Sequence, residues 1–149
     1  MSAEHVCLRC GACCATYRVS FYWAEAAPEL GGEVPPDLTE QLDANRAVMR
    51  GTRQPPVRCA ALAGDVGRCV QCAIYAARPS PCREFRVSWE DGAPNEACDR
   101  ARLAWNLPPL QPHEVLPLPQ VVAHRLADVM ADPLCPPGGE VETAVAEAA

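Results

Sequence analysis

Cys7, Cys10, Cys13 and Cys14 stand within eight residues in the pattern Cys-x-x-Cys-x-x-Cys-Cys, with Gly11 and Ala12 giving the backbone room to fold round an ion. A Cys-x-x-Cys unit lets two sulfurs converge at about 2.3 Å on one zinc ion, and stacked units of this kind also hold iron–sulfur clusters through thiolates. The spacing points to metal ligation without separating those metals. Free cysteine is also a common buried small hydrophobe, but four thiols so close together make ligands a better reading than core.

Further along, Cys59, Cys72, Cys82 and Cys98 are spaced more widely, and Cys69 forms a second Cys-x-x-Cys unit with Cys72. Taken singly, each of these could be core or ligand. Together with the first four they suffice for two four-thiolate sites or for one polynuclear cluster with shared ligands, and an adjacent or shared arrangement is expected. A four-thiolate site on a divalent ion carries a formal charge of about −2, which needs nearby cations. Arg9, Arg58, Arg68, Arg83 and Arg100 each lie within two residues of a cysteine and are candidates to hydrogen-bond sulfur. His5, His113 and His124 could in principle complete a site, since imidazole suits zinc and iron, but none has ligand spacing. Ten cysteines leave no single nucleophile standing out. The Pro and Gly pattern around Cys69-Val70-Gln71-Cys72 also lacks the strand-to-helix context of a disulfide oxidoreductase.

Composition narrows the function classes. A chain of 149 residues suits one core, and its two Phe, three Tyr and three Trp offer modest aromatic surface, so metal or disulfide bonds are expected to help order it. Residues 1–7 lack the basic start and apolar stretch of a secretory signal, and no run of about 18 apolar residues suggests a membrane span. The expected setting is therefore the reducing cytoplasm, where dense cysteine spacings favour metal over a disulfide framework. The net charge of −6 argues against nucleic acid as a partner. All thirteen basic residues are arginine, which excludes a Schiff-base or P-loop lysine.

The elements that must position the thiols can be read coarsely. Cys7 to Cys14 suggests a compact turn leading into a strand over Thr16 to Trp23. Pro35-Pro36-Asp37-Leu38-Thr39-Glu40 looks like the start of a helix running through Leu42, Val48 and Met49 to Gly51. Arg58 to Tyr75 suggests a small hairpin turning at Gly64-Asp65-Val66-Gly67. Arg78-Pro79-Ser80-Pro81 should break regular structure before Cys82. A strand is expected over Phe85 to Trp89, and a helix capped by Asn95 through Cys98 to about Asn106. The proline-rich Leu107 to Pro119 should wrap over the domain in extended form, and Gln120 to Ala131 has helical spacing. The fold class is α+β, a small irregular cysteine-rich domain stabilised by metal, with short strands or hairpins and a few helices. The expected organisation is a metal-binding domain over residues 1–107, the wrap and a C-terminal helix over 108–132, and a disordered tail over 133–149.

Cys7-Leu-Arg-Cys10-Gly-Ala-Cys13-Cys14, Arg58-Cys59-Ala-Ala-Leu62, Cys72-Ala-Ile-Tyr75-Ala-Ala-Arg78-Pro79-Ser-Pro-Cys82-Arg83-Glu-Phe85 and Cys98 together resemble the YkgJ-like CxxCxxCC family, cysteine-cluster proteins described as chelating zinc or iron. The resemblance covers roughly residues 5 to 107. It implies metal ligands at Cys7, Cys10, Cys13, Cys14, Cys59, Cys72, Cys82 and Cys98, with Cys69 and Cys135 as extras. The expected function is a metal-binding protein with zinc or iron as its partner. The alternative is a redox enzyme built on an iron–sulfur or multinuclear iron centre, in which Tyr75, Arg78, Arg83 and Glu84 would line a substrate site.

Overall fold

The computed structural model describes residues 3–116. Two small antiparallel sheets and four short helices make the mixed α+β fold that the sequence suggests. The expected helix over Gln120 to Ala131, the tail over 133–149 and Cys135 lie outside the described residues.

The Cys7–Cys14 region is a helix and a tight turn rather than a single loop. Helix α1 spans Ala3–Cys10 and carries Cys7 and Cys10, while a 3-10 turn over Cys13–Ala15 carries Cys13 and Cys14. Gly11 joins them at φ 67°, and a Cβ there would stand 2.9 Å from Val70 Cγ1. Both the left-handed backbone and the close approach of Val70 therefore call for glycine. The strand expected over Thr16 to Trp23 is shorter, β1 over Ser20–Tyr22, and the chain then tightens into 3-10 turns.

The helix expected from Pro36 to Gly51 is instead a hairpin, with β2 over Thr39–Gln41 and β3 over Arg46–Met49. Asp43 decides this: its carboxylate accepts from the Asn45 and Arg46 backbone N–H groups at 2.9 Å each, closing a turn where a helix would need those donors. β3 is the centre of the first sheet, pairing Ala47 with Phe21 of β1 and Val48 with Glu40 of β2. Thr52, buried in the turn after β3, accepts from Val19 N–H at 3.1 Å and donates to Met49 C=O at 2.8 Å.

The expected second hairpin is present as β4, Leu62–Asp65, and β5, Cys69–Cys72, with Leu62 opposite Cys72. It packs across α1, where the Gly67 N–H caps the Cys10 carbonyl at 2.8 Å. Arg78 to Pro81 does not simply break the chain: Pro79 caps and Pro81 enters the first turn of α2, Ser80–Glu84, which holds Cys82. Glu25 anchors this helix by accepting from Ser80 N–H at 2.8 Å and Ser80 Oγ at 2.7 Å. Its 3.8 Å contact with half-exposed Arg83 adds little, since such pairs contribute about 0–1 kcal/mol.

Phe85 to Trp89 is not a strand. Val87 N–H donates to the Glu90 carboxylate at 2.9 Å, Trp89 N–H donates to Ala93 C=O at 2.8 Å and Trp89 sits at φ 71°, so local turn contacts rather than a neighbouring strand satisfy this backbone. Helix α3, Glu96–Ala104, begins where expected, with the Asn95 side chain accepting from Ala97 N–H at 2.9 Å; such a cap contributes about 1 kcal/mol. After α3 the chain turns at Trp105 and Asn106, runs without regular structure to Gln111 and then forms α4, Pro112–Val115, a short helix in the segment expected to be wholly extended. Leu110 and Val115 are buried with Val87 and Cys98, so this segment closes over the cysteine-bearing core. Among the described residues, no helix is long and apolar enough to cross a membrane.

Candidate metal centre

Three small apolar clusters meet without filling the space between them. The first, around Phe21, Met49, Leu62 and Val70, has Cys59 buried within it and Cys14, Cys72 and Cys82 against it. The second holds Cys98, and the third holds Cys10 with Cys13 packed beside it. The gap is a cavity of about 200 Å³ lined by Cys7, Cys10, Cys13, Cys14, Cys59, Cys72, Cys82 and Cys98. Eight thiols from five parts of the chain thus face one mostly apolar space, and all eight are free. Cys69 does not line it and is disulfide-bonded.

Two cross-links fix the register of the contributing elements. Tyr17 Oη donates to the Ala97 carbonyl at 2.7 Å, and Trp105 Nε1 donates to Thr16 Oγ1 at 3.1 Å. Both ends of α3, which carries Cys98, are therefore tied to the segment that follows Cys13 and Cys14. On the opposite wall, Cys59 N–H donates to the Cys14 carbonyl at 2.9 Å, joining the hairpin's approach to the same turn.

Electrostatics sorts the thiols into two neighbouring sets. Burial pushes Cys82 up to about 12 and Cys14 up to about 11, and in each case the neighbouring thiols of Cys59 and Cys72 add to the rise. Cys59 is raised chiefly by burial, with Cys72 contributing. Cys7 reaches about 12 through burial and then Cys10 and Cys98, although it is exposed at the cavity mouth, where solvent screens it most. Cys13 and Cys98 share a hydrogen bond that raises Cys13 and lowers Cys98, and the Ser88 backbone N–H also favours the Cys98 thiolate. One set is Cys7, Cys10, Cys13 and Cys98, the other Cys14, Cys59, Cys72 and Cys82. Cys14 also feels Cys10 and raises Cys7 and Cys13, so it couples to both sets and the sets adjoin.

This donor set fits zinc or iron. Neutral thiols crowded in an apolar space resist ionisation together, and a bound cation removes that conflict while soft thiolates suit both metals. Among the described residues, no group of three or more His, Cys, Asp or Glu is drawn close enough to hold an ion as it stands. Metal–sulfur distances of about 2.3 Å would require the sulfurs to stand closer together than they do here.

Sequence adjacency does not identify the arginine that serves the thiols. Arg9, Arg58, Arg68, Arg83 and Arg100 do not line the cavity; Arg58 donates to Gly64 C=O, and Arg83 and Arg100 face Glu25 and Glu96. Arg78, four residues from Cys82, lines the cavity and opposes the rise of Cys7, Cys14 and Cys82. Tyr75 lines it too, whereas Arg83 and Glu84 do not, so only half of the imagined substrate wall faces this space. His113 is exposed on α4 away from the cavity, and the His5 and His124 side chains lie outside the described residues.

Comparison with known proteins agrees with this chemistry. The family model CxxCxxCC, described as "Putative zinc- or iron-chelating domain", matches residues 6–99. The "Uncharacterized protein YkgJ" of Escherichia coli O157:H7 is 53% identical over 110 residues, covering 74% of this chain and 100% of its own. A "Putative ferredoxin" of Acinetobacter calcoaceticus is 50% identical over 115 residues, covering 77% of this chain and 79% of its own. No solved structure matches the chain. The chain belongs to the CxxCxxCC family of zinc- or iron-chelating domains.

Proposed function

We propose that this protein carries zinc or iron on its eight cavity cysteines as two adjoining four-thiolate sites, Cys7, Cys10, Cys13 and Cys98 in one and Cys14, Cys59, Cys72 and Cys82 in the other. The observation that supports this most is the coincidence of three properties in the same eight residues: they face one cavity, they are free thiols, and they perturb one another's ionisation, with Cys14 acting across both groups. Core packing alone gives no reason to gather eight thiols and a guanidinium in one place. The ion supplies the positive charge that lets the thiols of each set ionise together. The chain supplies the elements that carry the thiols and a mostly apolar lining. A reducing cytoplasm is the setting in which these thiols remain available.

A redox role through an iron–sulfur centre is the second reading, favoured by the relative named a putative ferredoxin and by the adjacency of the two sets. One preparation separates the readings: purification without oxygen, metal and acid-labile sulfide analysis, and an absorption spectrum. A colourless protein with stoichiometric zinc rules out the cluster reading, and a brown one with sulfide rules out zinc. If Cys10→Ser and Cys82→Ser both retain full metal content, the cysteines are not the ligands.

A further inference from the structure

We propose that Arg78 is the counter-cation common to both thiolate sets, its guanidinium held against the cavity so that two negatively charged sites can stand side by side. The proposal rests on the two-site reading above and adds a role for a residue that is not a ligand.

Position is the first support. Arg78 lines the same cavity as the eight cysteines and is held there twice: Nε donates to the Tyr75 carbonyl at 2.8 Å, and the guanidinium carbon lies 3.8 Å from the centre of the Tyr75 ring. With Nε committed and one face on the ring, the terminal nitrogens are the groups left to face the thiols. Reach is the second support. The cavity that Arg78 lines is lined by Cys7, Cys10, Cys13 and Cys98 of one set and by Cys14, Cys59, Cys72 and Cys82 of the other. Charge is the third: among the described residues Arg46, Arg83, Arg86 and Arg100 each face a carboxylate, whereas Arg78 forms no ion pair with one.

The charge arithmetic gives the residue its weight. Each four-thiolate site on a divalent ion has a formal charge of about −2, and in an apolar cavity two such sites repel more strongly than in water. One fixed cation facing both lowers that repulsion. Arginine suits the place because it stays charged whatever the burial and offers several donors in a plane that stacks on tyrosine.

The test uses the full-length protein without oxygen, with zinc affinity read by competition against a chromophoric chelator and site geometry by cobalt(II) absorption. Arg78→Gln is expected to weaken zinc binding about ten- to a hundredfold, the usual cost of losing a partner behind the ligands. Arg78→Lys keeps the charge and loses the flat stacked fork, so it should stay within about threefold of the parent with the same cobalt bands. If both variants bind like the parent, or if Lys is as weak as Gln, charge is not what Arg78 contributes and the proposal fails. Should Arg78→Gln not fold, the Lys variant decides alone, since a tenfold loss there overturns the proposal. Failure of the underlying two-site reading would look different: the parent itself would bind neither zinc nor cobalt through sulfur.

Discussion

The Arg78 guanidinium carbon lies 3.8 Å from the centre of the Tyr75 ring, and the same side chain donates from Nε to the Tyr75 carbonyl at 2.8 Å. The backbone contact survives any substitution at 75, so the ring alone sets the tilt of the guanidinium. Tyr75→Leu is therefore expected to cost about 1 kcal/mol of stability, the scale of a partly desolvated cation–π contact. It should also weaken zinc binding by less than Arg78→Gln does, because the cation remains and only its placement is loosened. Urea unfolding and chelator competition measure the two effects separately. A larger metal defect in Tyr75→Leu than in Arg78→Gln would contradict this ordering.

Tyr17 bridges the two arms that supply one thiol set, its hydroxyl donating 2.7 Å to the Ala97 carbonyl at the first turn of α3. Tyr17→Phe keeps the ring and removes one hydrogen bond, with an expected cost of about 1 kcal/mol. The thermal midpoint of the metal-free protein should fall by several degrees. Cys13 and Cys98 lie on the two joined segments, so the site holding Cys13 and Cys98 should lose affinity while the site holding Cys59 and Cys72 keeps it. Equal losses at both sites in a metal titration would place the defect in global stability instead.

Gly11 combines a left-handed backbone with a Val70 side chain that a Cβ there would meet at 2.9 Å, and the two penalties can be separated. Gly11→Ala is expected to destabilise by about 1–2 kcal/mol from the backbone, with an added steric share from Val70. Val70→Ala in the same chain should return only that steric share, because the positive φ remains. Denaturant midpoints of the two single variants and the double variant give the coupling. Additive effects would show that Val70 yields freely.

The features legible in the sequence are those fixed by neighbours along the chain. Asn95 announced α3 because a side chain two residues away from the N–H it caps needs no tertiary partner. The run from Gly64 to Gly67 likewise marked the second hairpin, although Gly64 and Asp65 pair within β4 and the turn falls at 66–68. The segment from Pro36 to Gly51 misled because proline at the start and Leu42, Val48 and Met49 at plausible spacing match a helix, while the competing signal was a single carboxylate, Asp43. Phe85 to Trp89 has strand-forming residues but no strand beside it, and β-propensity cannot report a missing partner. The ligand candidates were legible as residue types, yet their division into Cys14 with Cys82 and Cys13 with Cys98 depends on contacts 68 and 85 residues apart, which spacing does not encode. Arg78 escaped the adjacency criterion because the Pro79 cap and α2 carry Cys82 around to it. The sequence signal was present as an arginine immediately before the helix-starting prolines.

The buried thiols give the metal-free and metal-bound proteins opposite responses to pH. Cys14 and Cys82 are raised from 9.0 to about 11 and about 12, so the fold favours their neutral forms. Their contribution to stability is complete below pH 9 and is lost as the pH rises through 11 to 12, where the folded thiols ionise. Cys98, lowered by Cys13 and Ser88, has the opposite sign but is one group against several. The metal-free protein should therefore unfold more easily at pH 10.5 than at pH 7.5 in anaerobic melts, a window set by those raised thiols. Metal binding instead requires the thiolates, and Cys14, Cys59 and Cys82 must each give up a proton to form their site. Below pH 9 the zinc affinity of that site should rise by at least about a thousandfold per pH unit, the slope for three or more protons released. Proton release on adding zinc in weak buffer measures this number directly. Release of fewer than about two protons per zinc would mean that these thiols were already ionised or are not the ligands.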